Sequence, residues 1–367
     1  MNTLKNRYLS LDVFRGMDVA LMIIVNSPGN GDTSFGILKH AVWNGFTLTD
    51  LVFPTFLFVV GYAMSFSMKK YQNVASSEFL KKVFKRFAII FLLGFLMYWF
   101  PFFENGSLKP IAETRIFGVL QRIALCYLFA SILLHYFKTK SVLIFSAIAL
   151  IGYHIILMVF GDLSLTGNAV LKLDKFIIGA DHMYHGNGGV AFDPEGLLST
   201  LPAIVNVIAG FFTGKFIQKN GQNFETIAKL IMVSGLLIIA GFAWDLTFPF
   251  NKKLWSSSFV LLTIGIDIFI ISILIYLLDM SKPGKWTYFF EVFGRNTLFI
   301  YLLSELFIIS LAEISMNGTT AYNWIADNIF IHIAGDYFGS LFFALWIMFT
   351  CWLVGYIMDK KGIYIKV

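Results

Sequence analysis

Polar and charged positions punctuate this chain so as to leave ten apolar stretches, near residues 13–28, 51–68, 87–103, 115–137, 142–160, 197–217, 227–247, 255–278, 295–314 and 338–358. The hydrocarbon core of a bilayer takes about 20 residues of helix, so each stretch predicts a transmembrane helix. The pattern reads as an all-α, polytopic membrane helix bundle of about ten spans, a single domain over residues 1–367. The first stretch is the weakest, because Arg15 and Asp18 interrupt it and Val19–Val25 alone has the length of a signal-peptide core. No small-residue cleavage site follows, and Asn26-Ser27-Pro28-Gly29 reads as a helix end entering a turn. It is therefore expected to be an uncleaved span whose polar residues face other helices.

Composition removes the soluble alternatives. The chain is 57% hydrophobic and 14% charged, with 41 phenylalanines, whereas a soluble domain carries about 25% charged residues. Disorder and a disulfide scaffold are excluded on the same grounds, and both cysteines, Cys126 and Cys351, fall inside apolar stretches. The net charge of +6 has a direction. Most of the 28 lysines and arginines fall on the N-terminus and every second connection, among them Arg15, Lys69, Lys70, Lys81, Lys82, Lys85, Arg86, Lys138, Lys140, Lys215, Lys219 and Arg295. By the positive-inside rule that side is cytoplasmic and holds both termini, so the excess is no sign of a nucleic-acid partner. On the other side, residues 28–50 and 161–195 are rich in aromatic, histidine and acidic residues in place of linker filler.

Against so apolar a background the ionisable exceptions stand out, since charge at membrane depth is expensive. Arg15 and Asp18 share a helix face and are expected either to pair locally or to hold a ligand. Arg122, after Gln121, is read about two turns inside the fourth span with nothing nearby in sequence to neutralise it. A functional role and a structural pairing with Asp267 or Glu305 are equally open for it. In the loop Leu38–Asp50, Thr49 or Asp50 suits a helix N-cap, while His40, beside Trp43 and facing Asn26, suits a general base. Asp181, His182 and His185 would have zinc-ligand spacing only if they were helical, and no H-E-x-x-H pattern or cysteine ligand supports a metal. No Walker loop, dinucleotide fingerprint or G-x-S-x-G elbow is present, which excludes ATP, NAD and serine-hydrolase mechanisms.

Several of these residues lie in ordered motifs. Arg7-Tyr8-Leu9-Ser10-Leu11-Asp12-Val13-Phe14-Arg15-Gly16, Lys39-His40-Ala41-Val42-Trp43-Asn44-Gly45, Asp50-Leu51-Val52-Phe53-Pro54, Gly118-Val119-Leu120-Gln121-Arg122, Asp181-His182-Met183-Tyr184, Phe192-Asp193-Pro194-Glu195-Gly196, Asn251-Lys252-Lys253-Leu254-Trp255 and Lys361-Gly362-Ile363-Tyr364 resemble segments of the heparan-α-glucosaminide N-acetyltransferase family, in the same order. The chain resembles the shorter bacterial members, which implies the inner membrane. The resemblance implies transfer of an acetyl group from cytosolic acetyl-CoA to a glucosamine amine across the membrane, His40 as the catalytic residue with Asn26 at the active site, no metal, and a homodimer. A family histidine is matched here by Ser304, so its role does not carry over.

Together these readings give a scheme. His40 removes the amine proton, and Asn26 or Arg122 donates to the oxyanion. Asp50, Gln121, Arg122, Asp181, His182, Asp193 and Glu195 meet the sugar, and Arg15, Arg86 and Arg295 hold the CoA phosphates unless they only set topology. For Asp193-Pro194 a plain turn into the sixth span is the bland alternative. An O-acetyltransferase of envelope polysaccharide and a solute transporter are the rival functions.

Overall fold

A helix forms over every one of the ten apolar stretches in the computed structural model, which describes residues 8–71, 75–104, 106–186, 188–281 and 284–365. Of the basic set, Lys5, Arg7, Lys282 and Lys366 lie outside the described residues. In chain order the helices are α1 (Leu9–Asn26), α2 (Leu48–Ser67), α3 (Ser76–Trp99), α4 (Val119–Tyr136), α5 (Thr139–Phe160), α6 (Ala169–Ile178), α7 (Thr200–Asn220), α8 (Phe224–Asp245), α9 (Ser257–Leu274), α10 (Thr287–Arg295), α11 (Thr297–Glu313), α12 (Ala321–Ile325), α13 (His332–Ala334) and α14 (Asp336–Lys360). The strands among the described residues are two short hairpins, Phe103–Glu104 with Ser107–Leu108 and Ser315–Met316 with Thr319–Thr320.

Seven helices among the described residues are long and apolar enough to cross a membrane, and eight if α10 and α11, bent by 85° at Asn296, are one broken span. Helices α1 and α3 cover the other two stretches but are more charged: α1 carries Asp12, Arg15 and Asp18, and α3 opens on Lys81, Lys82, Lys85 and Arg86. Outward-facing apolar side chains follow one face of α5, through Ile144, Ile148, Ile151 and Ile155, and of α8, through Met232, Leu236 and Ile239. Water would not tolerate such faces, and hydrocarbon does.

By its backbone packing the chain divides into two compact units. The first comprises residues 1–40, 47–52 and 273–366. In it α1 packs against α10, α11 and α14. The α1/α10 contact is close because glycines face it from both sides: a Cβ on Gly16 would lie 1.8 Å from the Phe290 carbonyl oxygen, and one on Gly294 would lie 2.1 Å from that of Asp12. After α1 the chain is tied down by Gly29 N–H to the Ser340 carbonyl at 3.3 Å and by the Tyr322 hydroxyl to the Pro28 carbonyl at 2.6 Å.

The second unit comprises residues 41–46 and 53–272. Its α2 and α7 cross at a pair of glycines, since a Cβ on Gly61 would meet the Val207 carbonyl oxygen at 1.8 Å and one on Gly210 would meet that of Phe58 at 1.9 Å. Small residues let membrane helices approach where no hydrophobic driving force operates between them. At one end a core of Tyr153, Leu157, Val170, Phe192, Phe248 and Leu254 holds the segment after α5 in place. That segment contains α6, started by the Asn168 side chain accepting from Leu171 N–H at 2.8 Å and ended at Gly179, whose φ of +79° suits glycine.

Candidate active site

Thr47-Leu48-Thr49-Asp50 turns the chain from loop into α2, and its threonine and aspartate stand at the spacing that closes a helix N-terminus. Asp50 reaches back: Oδ2 accepts from the Thr47 backbone N–H at 3.0 Å, and the Thr47 hydroxyl lies 3.0 Å from that oxygen and 2.7 Å from the Lys39 carbonyl. The other oxygen, Oδ1, lies 2.7 Å from Nδ1 of His40. The Asp50 side chain is 1% exposed and that of His40 is 43% exposed. A buried carboxylate thus fixes one ring nitrogen of a surface imidazole. With Nδ1–H donated to Asp50, the lone pair sits on Nε2. The N-cap position therefore belongs to Thr47, and Asp50 lies in the first turn beneath the histidine. In the same unit Asn26, the last residue of α1, donates from Nδ2 to Oε1 of Glu305 in α11 at 3.1 Å.

The residues just after His40 are anchored within the second unit. Trp43 donates its indole N–H to the Leu163 carbonyl at 2.8 Å and sets its ring edge-on to Phe192 with centroids 5.7 Å apart. Asn44 accepts from the Asn251 side chain at 3.0 Å, and Gly45 N–H donates to the Phe250 carbonyl at 2.8 Å. The φ of +127° at Gly45 explains a glycine there. The Trp-Asn-Gly and Asn251–Trp255 motifs are thus two halves of one joint.

A buried ion cluster organises the rest of this end of the second unit. Arg115 grips Asp193 with two hydrogen bonds, Nη2 to Oδ1 at 2.6 Å and Nε to Oδ2 at 3.0 Å, and reaches Glu195 Oε2 at 2.7 Å. Its guanidinium lies 4.9 Å from the ring centroids of both Tyr98 and Tyr184. Lys252 stands 3.8 Å from the other Glu195 oxygen. Burial works against the charge on Arg115, but Tyr98, Asp193 and Glu195 outweigh it and hold its pKa well above the ordinary range. Burial likewise opposes the Glu195 charge and is outweighed by Lys252, Arg115 and Arg122, so its carboxyl titrates low. At Asp193 burial prevails over Arg115 and the shift is upward. Asp174 of α6 is also buried. Its Oδ1 accepts from Leu197 N–H at 3.0 Å, and burial pushes its pKa up to about 7 despite that bond.

Arg122 lies in the first turn of α4, nearer the helix end than expected, and is fully buried. Its partners are the Gly196 carbonyl at 3.0 Å, the Ser199 hydroxyl and the face of Trp255 at 4.9 Å. Within the same unit Asp267, a carboxylate expected as a partner of Arg122, instead accepts from Thr55 at 2.6 Å. The Gln121 amide and the Nε and Nη1 of Arg122 are buried without hydrogen-bond partners. Gly118 and Gly196 owe their identity to this packing: a Cβ on the first would strike the Tyr98 ring, and one on the second would lie 1.6 Å from Asp174 Oδ2.

The remaining expected residues fall in both units. His182 occupies a three-residue 3-10 turn, Ala180–His182, and its Nδ1 donates to the Thr114 carbonyl at 2.8 Å, while Asp181 is exposed. The helical condition for a zinc site at Asp181–His185 is not met. Among the described residues no group of three or more His, Cys, Asp or Glu side chains is placed to hold a metal ion. In the first unit Arg15 stands 3.9 Å from Asp12, the carboxylate before it, where Asp18 was the expected partner, and donates to the Gly294 carbonyl at 3.3 Å. Arg295 is balanced by Glu291 and Asp359, each at 2.6 Å. Arg86, in the second unit, lies over the Tyr127 ring at 4.6 Å. The sequence gives no role to Thr47, Tyr98, Arg115 or Lys252. Thr47-x-x-Asp50 before an apolar run was the available signal for the first, and an arginine on the lysine-poor side was the signal for Arg115.

Comparison with known proteins adds to this geometry. A family model described as "Heparan-alpha-glucosaminide N-acetyltransferase, catalytic" matches residues 7–241, a stretch that includes His40, Asp50, Arg115, Arg122, Asp193 and Glu195. Over its whole length the chain is 27% identical to the heparan-alpha-glucosaminide N-acetyltransferase of Homo sapiens, and over 99% of its length 26% identical to that of Mus musculus. It spans 61% of the length of each relative.

Proposed function

Because the chain belongs to the heparan-alpha-glucosaminide N-acetyltransferase catalytic family, we propose that it is a transmembrane N-acetyltransferase, taking acetyl groups from acetyl-CoA on its lysine-rich side to a glucosamine-type amine on the other. The observation that carries the proposal is the His40–Asp50 pair at 2.7 Å, a histidine whose tautomer is fixed by a buried carboxylate. An amine attacks a thioester only when deprotonated. In this reading Nε2 of His40 accepts the amine proton as the new C–N bond forms and the C–S bond breaks, and the proton leaves with the CoA thiol. Asp50 stabilises the imidazolium that forms. Asn26 donates to the carbonyl oxygen as it becomes negative.

Of the three arginines assigned to the donor phosphates, Arg295 has its charge balanced by two carboxylates and Arg15 lies near one, whereas Arg86 is engaged by an aromatic face. Arg86 is the one we retain for that role. On the acceptor side the exposed Asp181, and not the Arg115–Asp193–Glu195 cluster, supplies a carboxylate for an amino sugar. The cluster's carboxylates are spent on Arg115, so their part is to hold the segment 192–199 in shape.

The test is a sealed-vesicle assay with acetyl-CoA supplied on one face and glucosamine on the other, wild type against His40→Ala. Acetylglucosamine should accumulate only with the wild type, and N-acetylglucosamine should be no acceptor. If the wild type transfers acetyl to no amino sugar, the proposal fails.

A further inference from the structure

At the lysine-rich ends of four elements of the second unit there is a cavity of about 540 Å³ that the proposed acetyl transfer does not use. Three lysines line it: Lys69 just after α2, Lys138 in the link between α4 and α5, and Lys215 in the last turns of α7. Among the described residues none of the three has a carboxylate partner, in contrast to Arg295 and Arg115. Positive-inside topology explains lysines at span ends, but not an open space framed by them.

The cavity is also polarised. Leu134 lies one helical turn before Lys138 and Val142 one turn after it, while Phe211 and Phe212 stand one turn before Lys215. Charge therefore gathers at the mouth and hydrocarbon and aromatic surface one turn deeper, towards the middle of the spans. His135 contributes a further donor, its ring held by stacking on Phe79 with centroids 3.9 Å apart. Ser65 and Thr139 add hydroxyls. Unbalanced ammonium groups next to hydroxyl donors suit a phosphate ester, and the apolar floor suits one attached to hydrocarbon.

We propose that this cavity binds a phosphate ester, supplied by the headgroup of an anionic phospholipid whose first acyl carbons lie against Phe211, Phe212 and Leu134. A soluble phosphate ester, including CoA itself, offers the same anion without the hydrocarbon. The inference stands independently of acetyl transfer.

Native mass spectrometry of the full chain released from nanodiscs tests it. Wild type should retain phosphatidylglycerol in preference to phosphatidylcholine. K69Q/K138Q/K215Q should bind phosphatidylglycerol on the order of 100-fold more weakly, as each lysine beside an anionic lipid contributes roughly a factor of five. K81Q/K85Q/K219Q, which removes the same charge outside the cavity, should bind as wild type, and circular dichroism checks that both variants are folded. Phe211→Asp, which leaves the lysines in place, should also lose the lipid. Equal retention by wild type and the cavity variant, or equal loss by both triple variants, would overturn the proposal. If CoA or inorganic phosphate binds in a manner sensitive to the cavity lysines while phosphatidylglycerol does not, the lipid assignment is wrong and the site belongs to a soluble phosphate.

Discussion

At the His40–Asp50 pair the carboxylate is buried and the imidazole is exposed. Asp50 has both oxygens engaged, Oδ2 by Thr47 and Oδ1 by His40. In Asp50→Asn only one of the two positions keeps an acceptor. With the amide oxygen towards the two Thr47 donors, the NH₂ faces His40 and drives the imidazole into the other tautomer, with the lone pair on the wrong nitrogen. Acetyl transfer should fall by about 10²-fold or more with the helix intact, as initial rates and circular dichroism would show. An unchanged rate would remove Asp50 from the mechanism. Arg115 makes a contrasting case. Arg115→Met leaves the buried Asp193 without its cation and Glu195 with Lys252 alone, and should cost about 3–5 kcal/mol of stability, read as a lowered unfolding midpoint.

Asp174 gives a pH dependence of definite sign. Its folded pKa, about 7, lies above the ordinary 3.8, so the folded state binds more protons than the unfolded one between those values. Its contribution to stability is therefore complete below about pH 4 and lost as pH rises to about 7, a change of up to about 4 kcal/mol. Asp174→Asn keeps an acceptor for Leu197 N–H without the charge. The variant should match wild type near pH 4 and unfold at a higher temperature at pH 8. Equal melting temperatures at pH 8 would show that the carboxyl is not desolvated as described.

Among the elements, the helices of the spans were legible because apolar length is a coarse signal that needs no partner to interpret. What the pattern missed were short helices and exact ends. Helix α6 has ten residues, and its identity depends on Asn168 and on burial of Asp174 against Leu197. Helix α10 lies before the ninth stretch and bends by 85° into it, a turn that the run of apolar residues conceals. The α2/α7 crossing was invisible for another reason: Gly61 and Gly210 are unremarkable until the backbone opposite each is known. Gly61→Val and Gly210→Val should each lower stability by about 1–3 kcal/mol through overpacking. Gly152→Ala, on α5 where a Cβ meets nothing within 4 Å, should be neutral or raise the unfolding temperature, since alanine favours helix over glycine by about 1 kcal/mol.

For the molecule as a whole, composition and charge asymmetry carried most of the reading, and single polar residues carried the site. His40 was legible because so little else in the chain is polar. Its dependence on Asp50 was half-legible, since the spacing from Thr47 marks a cap but a cap alone does not announce a second oxygen turned towards a histidine. Partners separated by long stretches of chain, such as Arg115 with Asp193 or Arg122 with Gly196, could not be read, because nothing local in sequence distinguishes one carboxylate or carbonyl from another. The charge asymmetry predicts that both termini share one compartment. Reporters fused at either end should report the same side of the membrane, the side assigned to acetyl-CoA in the proposed reaction, and opposite readings would invalidate the orientation.

Asp50 also ties two kinds of information together. The carboxylate that starts α2 is the one that aims His40, so whatever frays that first turn disorients the imidazole as well. A screen for thermal stability and a screen for enzymatic rate, run blind to each other on random variants, should therefore return overlapping hits at Thr47 and Asp50. They should diverge at His40 itself, where the ring is dispensable to the fold.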